Sequence, residues 1–99
     1  MFDIKFGAEG QVVLSGRLDA SQEEKMSGVF NALSFPCVVD LKGLEYISSL
    51  GLGILIRTQK RIKARTGGGL RLVNVSRHIN ELFLYAGFHQ IFEIESPPT

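Results

Sequence analysis

The stretch from Val38 to Ile56, Val-Val-Asp-Leu-Lys-Gly-Leu-Glu-Tyr-Ile-Ser-Ser-Leu-Gly-Leu-Gly-Ile-Leu-Ile, constrains the fold more than any other part of the chain. It opens inside a continuous run, Phe35-Pro-Cys-Val-Val-Asp-Leu41, of the kind found in strands at the middle of a covered parallel sheet. It then reads as a short loop, two serines, and a helix starting near Ser49. Leu52, Leu55, Ile56, Gln59 and Ile62 share one side of that helix, with Gln59 the only break in the apolar line. Gly67-Gly-Gly69 stops the helix, and Leu70-Arg-Leu-Val-Asn-Val75 supplies another strand. A strand, a helix and a second strand in this order make a β-α-β unit with parallel pairing and a right-handed crossover.

The flanks extend the pattern. Phe2, Ile4 and Phe6 alternate with polar residues, and Gly7-Ala-Glu-Gly10 turns the chain toward Val12-Val-Leu14, which predicts an antiparallel hairpin. Asp19-Ala-Ser21 opens the first helix, with Asp19 or Ser21 as cap and Ser21 with Glu24 as a capping box. Met26, Val29, Phe30 and Leu33 form its buried stripe, and Pro36 ends it. Ser76 caps a third helix with Ile79, Leu82, Phe83 and Ala86 inward. Gly87 ends that helix, and Phe88, Ile91, Phe92 and Ile94 close the chain as an apolar edge. The order β-β-α-β-α-β-α-β predicts an α/β single domain. Its mixed sheet carries an N-terminal antiparallel hairpin and parallel β-α-β units, with helices packed on the sheet. The domain is expected to span residues 1–95, with 96–99 as a flexible tail.

Size and charge narrow the function. At 99 residues the chain is one domain, able to bury roughly two thirds of its unfolded surface. The net charge of +1 gives no bulk reason to expect nucleic acid or an acidic membrane surface as partner. Arg57, Lys60, Arg61, Lys63 and Arg65 gather in the C-terminal half of the central helix. There they complement the helix dipole and solvate the outer face, and no stacking aromatics are interleaved as a nucleic-acid patch would want. Cys37, the single cysteine, sits in an apolar run, and its solitude fits a reducing cytosol. The N-terminus lacks the features of a signal peptide, and the apolar runs are too short to span a bilayer.

Chemistry-bearing constellations are scarce. His78 and His89 sit in no metal or nucleophile motif, and nothing around Asp40 or Glu45 suggests acid–base work. No catalytic residue, metal or cofactor is therefore expected. The remaining feature is the serine pair at the mouth of the central helix. Ser48 or Ser49 there serves as an N-cap worth about 1 kcal/mol, or as a phosphate acceptor whose new charge meets free amides and the helix dipole. Gly51 and Gly53 lack side chains and would let a partner's nucleotide or backbone approach.

These pieces, taken together and in order, resemble the STAS domain, and within it the bacterial anti-sigma factor antagonists of sporulation and general-stress signalling. The resemblance rests on Leu14-Ser-Gly-Arg-Leu-Asp19, Val39-Asp-Leu41, Leu44-Glu-Tyr-Ile-Ser-Ser-Leu-Gly-Leu-Gly53, the Gly-rich turn before Leu70-Arg-Leu-Val73, Ser76, Leu82-Phe83, Ala86-Gly-Phe88 and Ile91-Phe92. It covers nearly the whole chain. It implies that Ser49 is the phosphorylated residue, with Ser48 standing where the family usually has an aspartate and Leu50 at the next, usually small, position. It implies a partner surface of Asp19, Ser48, Leu50, Gly51, Leu52 and Gly53. The implied partners are an anti-sigma factor with a histidine-kinase-like ATPase fold, acting as a serine kinase, and a PP2C-type phosphatase that resets the switch. The setting would be cytoplasmic, without nucleic-acid or membrane binding. A different role within the same family is a STAS subunit of a lipid-transport ATPase, or a signalling scaffold, in which no phosphate cycles and Ser49 is only part of the helix cap.

Overall fold

The computed structural model describes residues 2–97. Strands β1 (Phe2–Phe6) and β2 (Val12–Leu18) form the predicted hairpin, antiparallel, with Phe2 opposite Gly16 and Phe6 opposite Val12. A 3-10 turn at Ala20–Gln22 leads into α1 (Glu23–Phe30). There follow β3 (Val38–Ile47), α2 (Ser49–Thr66), β4 (Arg71–Val73), α3 (Arg77–Tyr85), a second 3-10 turn at Phe88–Gln90, and β5 (Glu93–Ile94). The sheet order is β1-β2-β3-β4-β5, parallel from β2 onward. Of the tail expected at 96–99, Pro98 and Thr99 lie outside the described residues.

This order decides where the core sits. Each crossover steps one strand in the same direction, so right-handed crossovers put α1, α2 and α3 on one face of the sheet. Burial agrees: Val12, Leu14, Val39, Leu41 and Leu72 are sealed against Met26, Phe30, Leu55, Ile62, Ile79 and Phe83. The alternate residues Asp3, Lys5, Val13, Ser15, Val38, Asp40 and Val73 point to the other face and are exposed or half-buried. The apolar run into Leu41 therefore belongs to a sheet covered on one face, not two. Phe35, expected in the strand, is 73% exposed and precedes it, and Phe6 is 61% exposed although it shares the inward face of β1. At the hairpin's turn end that face runs past the helices, so only Phe2 and, partly, Ile4 reach the core.

A second difference matters more for function. The residues read as a loop, Lys42 to Ile47, continue β3 alongside β2, with register shifts between Val13 and Ser15 and between Gly16 and Arg17. A Cβ on Gly43 would come within 2.9 Å of the Ser15 Cβ, so the irregular pairing uses the absence of a side chain. Leu44 and Ile47 point inward, and the strand delivers Ser48 directly to the helix. The predicted Ser21–Glu24 capping box is absent, since the Ser21 hydroxyl instead donates to Asp19. β4 is shorter than predicted because Asn74 adopts a left-handed φ of 55°. Ala86, expected inward, is exposed.

The break at Gln59 has a structural reason. It is buried, its Nε2 donates to the Ile91 carbonyl at 2.8 Å, and its Oε1 accepts from the Leu70 amide at 2.7 Å. One amide thereby satisfies two backbone groups that a buried loop would otherwise leave unpaired. It ties the middle of α2 to the entry of β4 and to the segment before β5.

Candidate functional site at the head of α2

The site lies at the C-terminal ends of β2 and β3. The Ser48 amide donates to the Leu18 carbonyl at 2.8 Å, which brings the end of β2, and with it Asp19, beside the start of α2. Ser48 has extended backbone and is the N-cap: its Oγ accepts from the Gly51 amide at 3.3 Å, and its carbonyl accepts from Leu52 at 3.0 Å. The capping role thus falls on Ser48 and leaves Ser49 without it. Ser49 is the first helical residue, exposed, and among the described residues its hydroxyl has no hydrogen-bond partner. The first amides of a helix have no partner within it, so the backbone around Ser49 is locally electropositive.

Around this hydroxyl the expected residues divide. Leu50 is 44% exposed and projects at the rim. Leu52 is half-buried, packed against the core with part of its side chain accessible. Gly51 points inward: a Cβ there would come within 2.7 Å of Leu18 Cδ2 and 2.8 Å of Ile47 Cγ1. Its missing side chain lets α2 dock on the ends of β2 and β3, and does not open a path for a partner. Gly53 faces the open side. Among the described residues, the side chain that comes within 4 Å of where a Gly53 Cβ would stand is Arg57, its Nη1 at 3.4 Å.

Asp19 is exposed and caps the 3-10 turn, its Oδ1 accepting from the Ser21 amide at 3.0 Å and from the Ser21 hydroxyl. The Ser21 hydroxyl bond chiefly holds its carboxyl below the ordinary value, with the Ser21 amide and the nearby Arg17 charge adding to the effect. Arg17 itself lies over the Tyr46 ring, 4.8 Å from its centroid. This pair flanks the site on the strand side, and sequence reasoning had not singled it out. Its signal is the parallel register, which places Arg17 opposite Tyr46.

The basic cluster is not uniform. Arg61 donates through Nη2 to the carbonyls of Phe30 and Leu33, both at 2.8 Å, so it caps the end of α1. Arg57, Lys60, Lys63 and Arg65 are exposed. No group of three His, Cys, Asp or Glu residues that could hold a metal occurs among the described residues. His89 shares a 2.8 Å hydrogen bond with Asn80 on the surface. A groove of about 790 Å³ lies at the far end of β3 from Ser48, between the hairpin turn and the segment Ala32–Val38. Among the described residues no helix is long and apolar enough to cross a membrane.

With this geometry in place, comparison with known proteins gives a consistent result. A family model described as "Mlab, STAS domain" matches residues 4–94. A curated relative, the anti-sigma-B factor antagonist of Bacillus subtilis, is 38% identical over 56 residues, covering 57% of this chain and 50% of that protein. The chain thus spans about half the length of the curated relatives it matches. Among solved structures, an anti-sigma factor antagonist from Mycobacterium paratuberculosis superposes with a TM-score of 0.79 at 20% identity, covering 99% of this chain and 86% of that one. A chain of the Acinetobacter MlaFEDB complex, in an ATP-bound conformation, superposes with a TM-score of 0.67 at 22% identity, covering 93% and 98%. At these identities the structures speak to the fold.

Proposed function

The chain belongs to the STAS domain family, and on that premise we propose that it is an anti-sigma factor antagonist whose binding is switched off by phosphorylation of Ser49. The observation that carries this reading is the division of labour in the serine pair. Ser48 holds the helix cap, which leaves the Ser49 hydroxyl exposed and unengaged at the helix mouth. A kinase can reach that hydroxyl without dismantling the fold. The unphosphorylated face, with Ser49, Leu50, the accessible part of Leu52, Gly53 and Asp19, docks on an anti-sigma factor that has a histidine-kinase-like ATPase fold and frees the sigma factor. Gly51 contributes from beneath, by seating α2 on the strands.

Phosphoryl transfer is then written on this chain's atoms. The Ser49 Oγ attacks the γ-phosphorus of ATP held by the partner, the bond from that phosphorus to the bridging oxygen of ADP breaks, and the hydroxyl proton passes to a base on the partner. The product carries close to two negative charges in a contact made to exclude water, and the interface separates. A PP2C-type phosphatase restores the hydroxyl by hydrolysis, releasing inorganic phosphate. On this reading the chain is a substrate and switch with no catalytic residue of its own, working in the cytoplasm. The test is incubation with candidate serine kinases of histidine-kinase-like fold and ATP, followed by mass spectrometry: one phosphate on Ser49 is expected from the kinase that binds the chain, and none on Ser49→Ala.

A second reading has its own support. The matching family model is described by the name Mlab, and a STAS subunit of a lipid-transport ATPase would use the same helix face without cycling phosphate. Stable co-purification with an ATPase subunit, together with no phosphate uptake, would favour it.

A further inference from the structure

Arg57 is an exposed cation on α2, about two helical turns from Ser49. Helical side chains lean toward the N-terminus, so from its place on α2 Arg57 leans back over Gly53, where its Nη1 lies 3.4 Å from the position of a missing Cβ. Ser49 and Gly53 are four residues apart, which puts their Cβ positions about 5–6 Å from each other on one face of the helix. The Arg57 fork therefore lies roughly one turn below the Ser49 hydroxyl, with no side chain at position 53 to obstruct it. Among the described residues no carboxylate pairs with Arg57, whereas Arg71 is committed to Glu95, Arg77 to Glu81 and Arg61 to the α1 carbonyls.

We infer that Arg57 is the counter-ion for a phosphate on Ser49, an arginine clamp that Gly53 leaves room for. This rests on the reading of Ser49 as phosphoacceptor and adds what becomes of the phosphate once transferred. A guanidinium matches phosphate oxygens with two parallel N–H donors, so a short swing of Arg57 pins the phosphate to the helix face. The clamp lets the modified chain keep its fold while the docking surface changes. It also turns the Arg57 fork away from any acidic group of the partner. Two other charged groups, Arg17 and Asp19, flank the site from the end of β2, whereas Lys60 stands about three helical turns from Ser49, too far along α2 to reach its phosphate.

The test installs phosphoserine at position 49 by genetic encoding, so that no kinase is needed. The second ionisation of the phosphate is then followed by phosphorus NMR across pH. The clamp predicts that Arg57→Gln raises that pKa by about half a unit, that Arg57→Lys raises it less, and that the difference shrinks in high salt. Gly53→Gln, which fills the path, should reproduce part of the rise, while Lys60→Gln leaves it nearly unchanged. Arg57 is exposed, so amide NMR spectra should confirm an intact fold in each variant. Equal pKa values in the parent phosphoprotein and Arg57→Gln would overturn the clamp, as would a rise confined to Arg17→Gln. Because the phosphate is placed without a kinase, such a result refutes the clamp alone. Failure of Ser49 to accept phosphate from a kinase would refute the functional reading instead.

Discussion

Two adjacent serines differ in kind because one backbone geometry separates them. Ser48 sits in extended conformation with its Oγ on the Gly51 amide, while Ser49 is already helical and points to solvent. Ser48→Ala should therefore lower stability by about 1 kcal/mol, and Ser49→Ala should stay within about 0.5 kcal/mol of the parent, both read from urea midpoints. Gly51→Ala should destabilise by about 1–3 kcal/mol, because the added methyl meets Leu18 and Ile47 at less than van der Waals distance. Asp19 offers a pH test. Its carboxyl lies below the ordinary value, chiefly through the Ser21 hydroxyl, so the charged form is favoured in the folded chain. That contribution is complete above the unfolded pKa and is lost as pH falls through the lowered folded value. Asp19→Asn caps without titrating, so melting curves across acid pH should fall less steeply for this variant. An unchanged slope would remove Asp19 from the acid response.

At the scale of elements, what local chemistry specifies was legible in the sequence, and what long-range pairing specifies was not. The helix starts at Ser48–Ser49 and Ser76, the stop at Gly67 and the hairpin all follow from caps, periodicity and turn residues, and all are present. The extension of β3 through Lys42–Ile47 was hidden, because Lys42-Gly43 looks like a turn and only pairing with an irregular β2 makes it strand. Coverage of the sheet on one face was hidden as well, since the continuous run through Val38 reads as a strand covered on both faces until the uniform direction of the crossovers is known. Gln59 is the clearest case of a sequence oddity with a structural cause. Gln59→Ala should cost about 2–4 kcal/mol, by leaving the Leu70 amide and the Ile91 carbonyl without their partner. Gln59→Glu keeps an acceptor for Leu70 but loses the donor to Ile91, so thermal melts should place it between the parent and Gln59→Ala near neutral pH only if the Leu70 bond dominates.

Across the whole molecule, the fold gathers its candidate switch at one end of β3 and leaves the other end to packing and to the groove beside Phe35. The pairing of β1 with β2, one edge of the sheet, holds the strand whose last carbonyl fixes Ser48. Much of the candidate site was legible, because a hydroxyl at a helix start followed by small and apolar residues is a local pattern. The inward role of Gly51, the Arg17–Tyr46 pair and the lean of Arg57 over Gly53 were not, because each depends on what the register or the helix face brings alongside. The central claim is that the Ser49 hydroxyl, and not the Ser48 cap, receives the charge that ends partner binding. It is tested most directly by measuring affinity for the cognate anti-sigma kinase before and after ATP, with the modified residue located by mass spectrometry. The account predicts tight binding without ATP, a phosphate on Ser49, and affinity at least tenfold weaker afterwards, with Ser49→Ala binding tightly under both conditions. A phosphate on Ser48, or a kinase that binds the chain yet leaves it unmodified, would contradict it.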